Sequence, residues 1–155
     1  MAVREILQVG ADVLREKSEP VKDFDINLLN LLQDMKDTLA DSNGVGLAAP
    51  QIGVSKRIFV IDVEEGYYEF INPRILGTSG SQYGQEGCLS VKGMWGDVKR
   101  PNKVTVEAQD RYGKKFKVVA RELFARCVCH ENDHLDGILY IDKANNLRED
   151  DKKKM

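Results

Sequence analysis

Apolar residues along this chain recur in two rhythms. Ile26, Leu28, Leu29, Leu31, Leu32, Met35 and Leu39 fall at helical spacing, as one buried face of a 3.6-residue period requires. Asp25 is placed to cap the first turn and Asn43-Gly44 to stop the last, which predicts a helix over 25–41. A second helical stretch runs over 120–137, with Leu123, Phe124, Cys127 and Val128 in its first half and Gly137 as its stop. Between these helices the rhythm shortens. RIFVIDV (57–63) is a continuous apolar run and predicts a buried strand, and YYEFINP (67–73) predicts another. Residues 103–120 alternate around Arg111-Tyr112-Gly113, the pattern of an antiparallel hairpin. Residues 5–22 suggest a short strand and an arm, punctuated by Gly10 and Pro20. The segment 44–53 is small and apolar with three glycines, a place for backbone to pass close to another chain or a ligand. Gly77, Gly80, Gly84 and Gly87 are expected to interrupt the stretch before Cys88, and about 144–155 forms a polar tail with a solvated, frayed end. Helix, several strands, helix predicts an α+β fold with mostly antiparallel sheets.

The 155 residues suit a single domain over 1–155. Basic residues number 23 against 25 acidic, a net charge of −2. That argues against direct nucleic-acid or anionic-membrane binding, which needs a cationic face. No apolar run approaches the roughly 18 residues of a membrane span, and the N-terminal MAVREILQVG lacks the apolar stretch of a secretory signal. Three cysteines are an odd number, and Cys127 and Cys129 are too close for an ordinary disulfide. A reduced compartment, the cytosol, is the expectation.

The two histidines of the chain share one pentapeptide, His130-Glu131-Asn132-Asp133-His134. Residues four apart on a helix share a face, so both imidazoles can aim at one cation with Glu131 beside them, the metal-hydrolase arrangement of H-E-x-x-H. The alternative is a pair of surface histidines, but the apolar residues before the motif argue for burial. A hydrolytic metal needs a third protein ligand and an open position. Cys127 and His134 lie seven residues and about 10 Å apart along the helix, a poor fit to tetrahedral geometry, and Cys129 projects about 100° away from His130. Cys88 and the carboxylates remain as candidates. Cys88 could equally be an ordinary buried cysteine.

Three segments together resemble a known family. Gly44-Val45-Gly46-Leu47-Ala48-Ala49-Pro50-Gln51, Glu86-Gly87-Cys88-Leu89-Ser90 and His130-Glu131-Asn132-Asp133-His134 resemble, in order and spacing, the three motifs of peptide deformylases. Leu14-Arg15, Asn72-Pro73 and Leu135-Asp136-Gly137 extend the likeness over about 5–143. The resemblance implies hydrolysis of the formyl group from N-formylmethionine of nascent polypeptides. It implies a metal on Cys88, His130 and His134, Glu131 as general base and then acid, and Gln51 with the backbone N–H of Leu89 as oxyanion donors. Val45, Gly46 and Gly87 would contact the peptide, and Glu86 would support the site with Arg100 as its ion-pair partner. The ion implied is ferrous iron, with zinc, nickel or cobalt also accepted. The family fold packs the H-E-x-x-H helix centrally against the sheets. A monomer in a bacterial-type cytoplasm, acting on nascent chains near the ribosome and touching neither nucleic acid nor membrane, is the corresponding expectation.

Helix spacing adds Leu123 and Cys127 to Val45 as walls of a methionine pocket, since they precede His130 by seven and three residues. Asp133 is read either as a group orienting a ligand histidine or as a solvent-facing acid. Two positions depart from the family pattern: Cys129 stands where glutamine is usual, and Lys92 where proline is usual. Other readings of H-E-x-x-H are a zinc endopeptidase, which needs a downstream ligand and leaves Cys88 and Gln51 idle, and a non-catalytic peptide-binding domain with a structural metal.

Overall fold

The computed structural model describes residues 2–149. Helix α1 (Ile26–Ser42) precedes β1 (Gly46–Ala48), β2 (Ile58–Val63), β3 (Gly66–Ser79), β4 (Gln82–Cys88), β5 (Val91–Arg100), β6 (Lys103–Gln109) and β7 (Lys115–Arg121). Helix α2 (Leu123–Leu135) and β8 (Asn145–Glu149) follow. A five-stranded sheet runs β1-β2-β3-β6-β7 and a three-stranded one β4-β5-β8, with every pair antiparallel. The expected α+β class with antiparallel sheets is the observed one.

Helix α1 forms where its apolar period falls. The Asp25 side chain accepts from the Leu28 N–H at 3.1 Å, and Asn43 closes the end with φ 58°, a conformation asparagine tolerates. Leu28, Leu32, Met35 and Leu39 are buried and pack on Leu47, Ile58, Val60 and Ile71. Phe59, Ile61 and Phe70, from the opposite face of the same sheet, pack with Phe124, Ala125 and Val128 of α2. The sheet is therefore covered on both faces along β2, which explains why RIFVIDV reads as a continuous apolar run rather than an alternating one. The 103–120 hairpin forms as expected, with Val104, Val106, Ala108 and Ala120 turned toward α2.

The structure corrects four expectations. Residues 5–10 form no strand. The arm instead bridges the two halves of the molecule, with Leu7 N–H to Gln51 O at 2.8 Å and Val9 N–H to Ser90 O at 2.7 Å. Gly77, Gly84 and Gly87 lie inside β3 and β4 rather than between elements. Gly87 is there for close approach: a Cβ would stand 2.8 Å from the Trp95 ring. Helix α2 starts at Leu123 because 120–121 belong to β7. It ends before Gly137, whose φ of 76° turns the chain beneath the Arg15 carbonyl. The tail residues 145–149 pair with β5 as an exposed edge strand rather than fraying. The rest of the tail lies outside the described residues.

Candidate metal centre and its cavity

Helix α2 buries Phe124, Ala125 and Val128 against the sheet, and this fixes its rotation. His130 and His134, one turn apart, come together with ring centroids 5.1 Å apart. The third group arrives from the other sheet. Between Glu86 and Cys88 the β4–β5 register shifts at Gly87, a bulge of the kind that re-aims a side chain. It turns Cys88 toward α2, with Sγ 3.4 Å from His134 Nε2. One donor atom from each of Cys88, His130 and His134 lies within 4.8 Å of the others. Tetrahedral coordination at ordinary metal–sulfur and metal–nitrogen lengths needs separations of about 3.5 Å, so this group fits one ion. Its third member comes from β4, and not from a downstream acid as the endopeptidase reading required.

The electrostatics suit a cation. Burial opposes charge on His130, yet Cys88 and Glu86 outweigh it and push the imidazole well above its ordinary range, so the site favours a positive charge there, a proton that a bound ion would displace. Burial, with His130 alongside, holds His134 well below that range, so it is neutral as a ligand must be. Burial also pushes the Cys127 thiol up to about 12; Cys127 stays a thiol and stands outside the donor group. Cys129 is buried and outside it as well.

Glu86 sits behind His130. Its Oε1 is 2.9 Å from His130 Nδ1, while Arg100 Nε and Nη2 donate to the two carboxylate oxygens at 2.9 and 3.0 Å. Burial alone would raise this carboxyl, but the bonds from His130 and Arg100 bring it down to about 2. With Nδ1 engaged, Nε2 of His130 is the atom left to face the ion. Asp133 orients no ligand histidine and is not simply solvated. It accepts from Arg100 Nη1 at 2.8 Å and pairs with Lys143 at 3.0 Å, fixing the arginine that holds Glu86.

Glu131 is buried, and burial pushes its carboxyl up to about 7. Its Oε1 has no partner among the described residues. Its other oxygen lies against Gly46, where a Cβ would stand 2.5 Å away. Gln51, in the short 3-10 turn after β1, is buried; its Oε1 accepts from Ala48 N–H at 2.9 Å. Its Nε2 donates to Ser90 Oγ at 3.0 Å and faces Cys88 Sγ at 3.7 Å.

A cavity of about 400 Å³ opens over these groups. Val45, Gly46, Gln51, Gly87 and Leu89 line it from the strand side, and Leu123, Cys127, His130 and Glu131 from α2. The structure therefore gathers the expected residues, with His134 behind the wall and Arg100 behind Glu86. Trp95 and Arg126 are among the lining residues that the sequence did not single out. Arg126 had a signal, a lone charge within the apolar stretch LFARCVC; Trp95 had none.

The family model described as polypeptide deformylase matches residues 3–150. A peptide deformylase of Caldicellulosiruptor bescii is 55% identical over 144 residues, 93% of this chain and 87% of that one. The crystal structure of a peptide deformylase from Legionella pneumophila superposes with a TM-score of 0.90 at 44% identity, covering 94% of this chain and 88% of that one. That of the peptide deformylase from Thermotoga maritima gives 0.91 at 37% identity, covering 94% and 99%. Sequence and fold agree over nearly the whole chain, and the chain belongs to the polypeptide deformylase family of metal-dependent hydrolases.

Proposed function

We propose that this protein hydrolyses the formyl amide at the N-terminus of N-formylmethionyl peptides, with Cys88, His130 and His134 holding a single divalent ion. The observation that carries the reading is the buried Glu131 carboxylate, one oxygen without a partner among the described residues, beside a donor group that fits one ion at the floor of a cavity. A bound divalent ion supplies charge stabilisation and makes water acidic enough to act near neutral pH. Glu131 takes the proton of the attacking water and returns it to the departing amine, and a carboxyl near 7 is matched to that exchange. Gln51 Nε2 and the N–H of Leu89 are the donors for the developing oxyanion. Strand β1 is an edge of its sheet, and Val45 and Gly46 face the cavity, so an extended peptide can pair alongside, with Gly87 opposite. Leu123, Cys127 and Val45 form an apolar pocket for the unbranched methionine side chain.

Ferrous iron as the cellular ion, nascent chains as the substrate and the cytoplasm as the place of action follow from the family likeness. The test offers formyl-Met-Ala-Ser and acetyl-Met-Ala-Ser to the protein and follows formate and free amine. Formate is expected in step with free amine from the formyl peptide alone, and a chelator should abolish it. Cleavage at internal peptide bonds without formate would contradict the assignment and restore the endopeptidase reading.

A further inference from the structure

Arg126 lies in α2 among apolar neighbours, yet it is buried and lines the cavity. A buried guanidinium persists only where its charge and donors are matched. Its partners are specific. Nη1 bonds Glu86 Oε2, Nη1 and Nη2 each reach Val98 O at 3.3 Å, and Nε reaches Gln82 Oε1 at 3.4 Å. Gly84 makes room for the group, since a Cβ there would stand 3.1 Å from Nη2.

Arg126 and His130 are four residues apart and so share a face of α2. They divide one carboxylate between them: Arg126 takes Glu86 Oε2 and His130 Nδ1 takes Oε1. Arg100 bonds both oxygens from outside the helix. Glu86 thus meets four nitrogen atoms from three residues, about the full capacity of a carboxylate. Arg100 reaches the carboxylate from β5 and is tied to α2 only at one remove, through Asp133. Arg126 holds the same carboxylate directly from α2, one turn before His130.

We propose that Arg126 is a positioning residue. It holds Glu86 from the helix that carries His130, keeps Nδ1 as the donor to that carboxylate, aims Nε2 at Cys88 and His134, and so sets how tightly the ion is retained. The proposal rests on the metal assignment above, and it extends to a residue that touches neither the ion nor the reacting bond. Glu86 stands one step behind the ligand, where such groups govern metal affinity or activity by a factor of about 10–100, and Arg126 acts through it from one step further back.

The test uses holoenzyme loaded with cobalt. Arg126→Met removes the guanidinium but strands no buried acid, because Glu86 keeps Arg100. Cobalt loss to excess chelator is expected to quicken by roughly 10-fold, the lower end of the range for groups bonded to a ligand. The visible cobalt spectrum should change, and kcat should fall with KM near the wild-type value. Arg126→Lys, which keeps the charge and one donor, should recover part of the retention. If Arg126 merely lined the cavity, KM would rise while cobalt retention and spectrum stayed as in wild type, and that result overturns the proposal. Should Arg126→Met fail to fold, Gly84→Ala crowds the guanidinium instead, and cobalt held as firmly in both Gly84→Ala and Arg126→Lys as in wild type also overturns it. Wild-type protein that retained no cobalt would be a separate failure, that of the metal assignment itself.

Discussion

At the scale of single residues, Glu131 and Gly46 form one unit. The carboxylate occupies space that a side chain at position 46 would fill. Glu131→Ala is expected to keep the metal and lose turnover by a factor of about 10²–10⁴. Gly46→Ala should push the carboxylate aside and lower turnover in the same sense, again with metal content unchanged. Metal analysis alongside formate release checks both, and loss of metal in Glu131→Ala would instead make it a ligand. His130, Glu131 and His134 were legible in the sequence because a helix turns a four-residue spacing into a shared face. Cys88 was not legible by spacing, since it reaches the site from another sheet by way of a bulge at Gly87; the likeness of its flanking motif identified it. Arg126 was visible only as an anomaly, because its meaning lies in a carboxylate 40 residues away in sequence.

At the scale of elements, periodicity located α1, α2, β2 and the β6–β7 hairpin, each of which buries one regular face or is covered on both. It failed for β4, β5 and β8. Gly84, Gly87 and Gly96 of β4 and β5 serve close approach to Trp95, Arg126, Ala144 and Leu147, and close approach has no period; β8 is exposed throughout and has no buried face to repeat. The start of α1 offers a direct check on the local reading. Asp25→Ala removes the acceptor for the Leu28 N–H and should cost about 1 kcal/mol in denaturant unfolding, with activity intact because the cap is remote from the cavity. An unchanged midpoint would show that the cap carries no stability here.

At the scale of the whole molecule, the candidate metal group ties α2, between the five-stranded sheet and the site, to β4 of the three-stranded sheet. An ion bound across that junction stabilises only the folded state. Stripping it should therefore lower Tm, and restoring it should raise Tm again. The central claim is that this one group both holds the ion and makes deformylation possible. The most direct measurement titrates ferrous or cobalt ion into metal-free protein and follows bound metal and formate release together, in wild type and in Cys88→Ala. The account predicts that release rises in proportion to bound metal and saturates at a single ion per chain, while Cys88→Ala neither retains the ion nor releases formate. Formate release by metal-free wild type, or full metal occupancy in Cys88→Ala, would contradict it.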